Sequence, residues 1–415
     1  MFRFTRTLVV LASLATVAHA QDQGVALTNC RIEGMQGPAI DKGTIAFREG
    51  KITYVGTGGA PNGFKVVDLK GAWVYPGLID GAMTRGLKLP EPPVNEVRDD
   101  STTVPTRLRP LNRKGVRPDI SAADCLDLGP ALPAQYSAGF TSAFIVPGVG
   151  SFRGQGAVVS LSEARGSVLK AGLGQAMGLT PGVGQGFPST KFGVMALIRQ
   201  TMLDAQRYAQ FPPSQRSKDL EPLNPLLAVL QRKQPLVWFA DSDLDITRVI
   251  DLSYEFGAIP WIIGGRDAYR LSNQIKERNI PLIAGVAIGP EPEQSEDNPQ
   301  PAGYLKQRKD QWKLSAMNLV QLEKQGVEFV LTSLGDVSNN FWPNLRKVVE
   351  FGLSKEGAIQ ALTIRPARLL GVQDQLGSIS DGKRACLTVF SGDPFAKSTD
   401  VQFVVVDGAF SEEKQ

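Results

Sequence analysis

The chain has 415 residues, 42% of them hydrophobic, with 45 Lys and Arg against 41 Asp and Glu. That is enough apolar sequence for one large domain or two unequal ones with a real core, and it excludes an intrinsically disordered chain. The small basic excess contains no basic run, which argues against nucleic acid as the main partner.

In chain order, residues 1–20 come first and read as a secretory signal. Arg3 and Arg6 form a positive n-region, "LVVLASLATVA" (8–18) a short apolar core, and "AHA" (18–20) a small-x-small cleavage site before Gln21. The apolar run is too short to span a bilayer, and no later run is longer, so no membrane span is expected and the chain is expected to be exported to a periplasm or the medium. Cleavage would remove Arg3, Arg6 and His19, leaving 43 basic residues, 41 acidic residues and no histidine. A mature chain without imidazole has no Ser-His-Asp or Cys-His catalysis and no histidine-ligated metal.

Residues 24–75 alternate apolar and polar as strands do, in "VALTNCRIEG", "GTIAFREGKITYVGT" and "FKVVDLKGAWVYP", with a tight hairpin at "REGK" (48–51). The far end, 377–395 and 401–410, is also rich in strand signals. One small β domain built from 21–75 with 376–415 is the economical reading. Cys30 and Cys386 fall in its two halves and are the pair it could join. Three separate buried thiols, Cys125 included, are the alternative.

The middle alternates near-continuously apolar runs with helical periodicity. Strands are expected at 141–148, 156–161, 235–241, 259–265, 280–287 and 328–334, and helices over 191–210, 245–257, 267–279, 313–326 and 344–352. Such units imply a parallel sheet covered on both faces. About 300 residues of them, 76–375, fit a (β/α)8 barrel, with an open doubly wound sheet as the runner-up. Two polar stretches, 88–118 and 288–310, read as loops at the carboxyl ends of strands, where sites form. "PGVGSFRGQG" (147–156) is rich in glycine but lacks Lys followed by Ser or Thr, so it reads as a tight turn, not a phosphate loop.

Several stretches together resemble the amidohydrolase superfamily, and in particular its imidazolonepropionase-like branch. They are "GKITYVG", "KGAWVYPGLID", "AGFTSAFIVPGVGSFRGQGAVVSL" (138–161), "PSTKFGVMALIRQTMLDAQRY" (188–208), "LTIRPARLLGV" (362–372) and "LGSISDGKRACLTVFSGDP" (376–394). The resemblance implies a barrel with a metal, usually zinc, at its mouth. There, two histidines two residues apart point the same way from the first strand, and an aspartate on the last strand handles the proton.

At the places that resemble the family's ligand positions this sequence departs from the pattern. Ala82 and Thr84 stand for the first His-x-His, and Phe239 and Asp241 for a second. Gly264 stands for a further histidine, Gly174 for the bridging lysine and Leu334 for the last-strand aspartate, with Asp336 two residues late. The expectation is a member of the family fold that has vacated its metal site, holds no cofactor, is catalytically inactive, and binds or supports something. That partner is a small molecule or a protein, with an active histidine-bearing relative as one candidate. The alternative is an exported hydrolase of non-peptide C–N bonds in which Asp80, Asp241 and Asp336 rebuild an oxygen-only site for Mg²⁺ or Ca²⁺. Taken singly, Asp80 reads as a structural hydrogen bond at a strand end, and "DSDLDI" (241–246) as the opening of a helix.

Overall fold

Both chain ends contribute strands to one sheet. The computed structural model describes residues 24–91, 112–162, 167–181, 187–294, 299–334 and 340–411; the signal-like segment 1–20, most of the stretch 88–118 and Asp336 lie outside the described residues. From the amino end come β1 (Val25–Ile32), β2 (Ile40–Arg48), β3 (Lys51–Gly56), β4 (Lys65–Asp68) and β5 (Trp73–Pro76). From the carboxyl end come β14 (Leu387–Phe390), β15 (Val401–Val406) and β16 (Ala409–Phe410), ordered β16-β15-β14-β5-β1-β2-β3 with β4 paired to β1. The join is the antiparallel pair of β5 with β14, Val74 opposite Val389. Alternation turns Leu27, Ile45, Val74, Leu387 and Val405 into one apolar cluster.

Cys30 and Cys386 are not bridged. Cys30 lies in that cluster, with Sγ 3.5 Å from Gly43 O. Cys386 faces a different cluster, with Sγ 3.4 Å from Asp407 Oδ1. Burial pushes the Cys30 thiol up to about 12 and raises that of Cys386 as well, so both are poor nucleophiles.

The second sheet has eight strands in sequence order: β6 (Leu78–Met83), β7 (Phe140–Ile145), β8 (Phe152–Ser160), β9 (Val168–Gly178), β10 (Leu236–Ala240), β11 (Pro260–Gly264), β12 (Leu282–Gly285) and β13 (Val330–Thr332). This monotonic order lacks the reversal of a doubly wound sheet. The sheet is not wholly parallel, contrary to expectation. β8 runs antiparallel to β7 and β9, while the remaining neighbours, β6 with β7 and β9 through β13, pair parallel. The connections at 146–151 and 161–167 are too short for a helical crossover, so each can only reverse the chain.

Alternate side chains divide two cores. Ile79, Phe144, Val158, Ala176, Val237, Ile263, Ile283 and Val330 meet on one face. Leu78, Phe140, Trp238, Ile262, Leu282 and Leu331 meet the helices on the other. Trp238, fully buried, donates from Nε1 to Ser253 Oγ at 2.8 Å on helix Asp243–Glu255, whose cap is Ser242 accepting from Asp245 N at 3.2 Å. The stretch 288–310 is not all loop, because its second half begins helix Ala302–Ala316. That helix buries only Ala316, so it carries no apolar stripe by which the sequence could announce it.

The two edge strands of the larger sheet lie against each other. A Cβ on Gly81 of β6 would stand 2.7 Å from Leu331 O of β13. No backbone ladder joins them among the described residues; side chains and one passing segment do. Asp80 is fully buried and accepts four hydrogen bonds: from Thr332 Oγ1 (2.7 Å), Ser333 Oγ (2.5 Å), Ser333 N (3.1 Å) and Ala82 N (3.3 Å). Beside it, Ile79 N donates to Leu362 O at 2.8 Å and Leu331 N to Ala361 O at 2.9 Å, so one short segment holds both strands.

Desolvation raises the Asp80 carboxyl above the ordinary carboxylate range, against the lowering effect of its hydrogen bonds. A carboxyl raised on folding favours the native state fully at a pH below its unfolded value, near 3.9, and loses that advantage as the pH rises through its native value. Asp80→Ala strands four donors and is expected to cost about 2–4 kcal/mol. Asp80→Asn, a neutral isostere, is expected to stay within about 1 kcal/mol of the parent and to gain on it as the pH climbs above 4. Urea unfolding of the three proteins between pH 4 and 8 measures both effects. A wild type that gains on Asp80→Asn with rising pH would show the carboxylate to be the favoured form.

Candidate ligand site at the strand ends

Parallel pairing sets the carboxyl ends of β9, β10 and β11 level. Phe239 pairs with Gly178 on one side and Ile263 on the other, and Ala240 pairs with Gly264. Phe239 is half-buried and packs against the inner apolar cluster.

Across its ring lies Arg153, with Cζ 4.1 Å from the ring centroid. Arg153 gets there through a bulge. On β8, Phe152 pairs with Met177 and Gly154 with the next residue, Ala176, leaving Arg153 as the extra residue between them. A bulge re-aims a side chain out of the normal alternation. Here Gly154 takes φ +118°, and a Cβ there would sit 2.6 Å from Ile120 O.

Arg153 is 7% exposed, and its Nε donates to Gly150 O at 3.0 Å. No carboxylate among the described residues pairs with it. Burial alone lowers it to about 10, so it keeps its charge at neutral pH. A cation–π contact with Phe239 contributes about 1–2 kcal/mol where water is excluded, well short of the cost of an unpaired buried charge.

The other positions that the sequence resemblance sets against the family's ligands lie in different places. Ala82 is fully buried in the inner apolar cluster. Thr84, half-buried, stands over Gly148 in the connection after β7. Gly174 lies four residues before the end of β9, at the level of Pro235, where a Cβ would meet Val237 at 2.6 Å. It is therefore not among the strand ends. Asp241, Gly264 and Leu334 do come together, around a cavity of about 160 Å³ that Arg266, Ser315 and Asn318 also line. Leu334 is 37% exposed and sits at φ +45°, so it rims the cavity rather than filling it. Asp80 faces the seam, where its oxygens are already engaged. Asp336 lies outside the described residues, so the trio Asp80, Asp241 and Asp336 cannot be placed as one set.

Zinc takes imidazole, thiolate and carboxylate donors, usually four of them. The chain's one histidine, His19, is outside the described residues. Among the described residues no three of His, Cys, Asp and Glu group so as to hold a metal ion. The strand ends offer the Asp241 carboxylate and the Thr84 hydroxyl, and a buried guanidinium adjoins the Phe239 position. Zinc does not fit this donor set, and a second cation beside Arg153 would be repelled. Calcium takes six to eight oxygens, more than this donor set offers, and magnesium would find a single carboxylate here.

The architecture and these strand ends define a mixed α/β protein of amidohydrolase-like fold. Residues 315–410 match the amidohydrolase family, which covers the last sheet strand, the closing helix and the return into the small sheet. Among solved structures, the chain is similar to an amidohydrolase from Thermotoga maritima MSB8 at 24% identity and TM-score 0.72, covering 94% of this chain and 100% of that one. It is also similar to an amidohydrolase at 17% identity (TM-score 0.57, covering 94% and 99%) and to a Xaa-Pro dipeptidase with methionine bound in its active site at 16% (TM-score 0.56, covering 94% and 100%). No curated protein matches the chain.

Arg153 was missed in the sequence, where it stood inside a glycine-rich stretch that reads as a turn. The available signal was a single cation followed by a long apolar strand, "FRGQGAVVSL".

Returning histidine to single positions should not recreate a metal centre. A Cβ on Gly264 would lie 2.5 Å from Asp241 Oδ1, and its φ of +104° suits only glycine, so Gly264→His is expected to cost about 3 kcal/mol or more. Ala82→His with Thr84→His puts an imidazole into a sealed apolar cluster and should lower the melting temperature. Melts with and without Zn²⁺ check this. A zinc-dependent rise of many degrees in the double variant would reveal donors that this geometry does not supply.

Proposed function

We propose that this chain is an amidohydrolase-fold binding protein that has lost metal-dependent hydrolysis, and that the Asp80 seam closes its larger sheet as a barrel. The observation that carries the reading is the pairing of Phe239 with Arg153, an aromatic ring and a buried cation at a position matched to a metal ligand. Chemistry resides in the site and not in the fold, and this site has exchanged coordinating groups for apolar and cationic ones. Ala82, Thr84, Gly264 and Leu334 extend the same exchange around the strand ends. The rebuilt carboxylate alternative draws no support from Asp80, whose oxygens are taken by four donors.

Segment 1–20 supports export to a periplasm or the medium as part of the proposal. No helix among the described residues is long and apolar enough to cross a membrane. The partner is a small molecule or another protein, and a histidine-bearing relative is one candidate to capture from native extract.

Purified mature chain is expected to carry no stoichiometric zinc by elemental analysis. It should not hydrolyse amides, lactams, cyclic ureides or dipeptides above background, with or without added Zn²⁺ or Mn²⁺. Metal-dependent turnover abolished by Asp241→Ala would overturn the proposal in favour of a carboxylate site.

A further inference from the structure

We propose that Arg153 is the receptor for a small monocarboxylate, held at the strand ends where the family places a cation. This rests on the binding role proposed above and names its ligand.

A buried arginine normally has a carboxylate partner, because an unpaired charge out of water costs several kcal/mol. Arg153 has none among the described residues. Its Nε is committed to Gly150 O, and Nη1 and Nη2 have no hydrogen-bond acceptor among the described residues. Those two nitrogens form the end of the guanidinium fork, whose spacing matches the two oxygens of a carboxylate.

The fork is also held still. The Phe239 ring lies against one face at 4.1 Å, and a Cβ on Gly178 would clash with Nη2. Glycine at 178 is what leaves the guanidinium its space. A receptor fixed in place before its ligand arrives loses less entropy on binding.

The class of anion follows from the charge count. Burial lowers the Arg153 proton affinity, and no charged side chain among the described residues pairs with it. One isolated positive charge matches a monoanion, whereas a phosphate dianion calls for more donors. Arg153 is only 7% exposed, which suits a small acid and not a polymer.

The test is calorimetric titration of full mature protein with propionate, benzoate and inorganic phosphate at constant ionic strength, alongside Arg153→Met and Gly178→Ala. Arg153→Met removes the charge at similar volume. Gly178→Ala keeps the arginine but takes its space. The expected result is saturable binding of at least one carboxylate to the parent, weakened tenfold or more in both variants, with phosphate weaker than carboxylate. Ligand-free Arg153→Met should melt at or above the parent temperature, because an unpaired buried charge has gone. Equal carboxylate binding by parent and Arg153→Met overturns the proposal, as does binding of phosphate alone. A ligand-free melting temperature many degrees lower in Arg153→Met, with no carboxylate binding by the parent, assigns the arginine to structure and overturns it too. Zinc content or turnover in the preceding assays would remove the binding-protein reading, while a failed titration with those assays negative removes only the carboxylate.

Discussion

One buried carboxyl group, Asp80, and the short segment beside it hold the first and last strands of the larger sheet together. Parallel strands in sequence order bring β6 and β13 side by side, yet they share no ladder, so their edges need other partners. Asp80 supplies acceptors for two side-chain hydroxyls and two backbone amides, and Ala361 and Leu362 satisfy an amide on each strand. Edge amides buried without partners would cost more than most single packing contacts contribute. The ends of β9, β10 and β11, where Phe239, Gly178 and Gly264 meet, are set level by their own parallel register. An aspartate that would be a metal-site candidate in another setting is here a structural fastener, because every oxygen it offers faces a donor.

Much of this was legible in the sequence. The end segments alternate with period two, and β1 to β5 with β14 to β16 follow that pattern. The apolar runs before 241, 265, 287 and 334 became β10 to β13, since β-branched and aromatic residues suit strands covered on both faces. The reversed β8 was harder, because a strand's direction is fixed by the length of its connections and not by its own residues. β9 contains Gly172, Gly174 and Gly178, and glycine weakens any strand signal. Helix Ala302–Ala316 is polar on nearly all sides, so no stripe marks it.

The candidate site was legible by subtraction and illegible by addition. Ala82, Phe239 and Gly264 are set against ligand positions by the resemblance alone, which needs no side-chain placement. Arg153 cannot be found that way, because its placement depends on a bulge that shifts one residue out of alternation, and a bulge is a property of two strands in register. In the same way, Gly174 seemed equivalent to a ligand position by its neighbours in sequence, and only the β9–β10 register shows that it lies below the strand ends.

The exchange of groups at Phe239 has its own electrostatic logic. A metal centre places positive charge among donors and draws anionic or polarised ligands toward it. Stripping the donors and keeping a polar cavity would leave a cluster of unsatisfied groups in a poorly solvated place. Apolar side chains at Ala82 and Phe239 carry no such cost, and Arg153 sets a fixed positive charge beside Phe239 that no pH near neutrality discharges. A guanidinium cannot activate water as a metal does, since it has no open coordination position and no readily lost proton. It can orient an anion through two parallel hydrogen bonds. On the reading proposed above, a site that keeps the charge and gives up the coordination would keep recognition of an anion without the means to activate water.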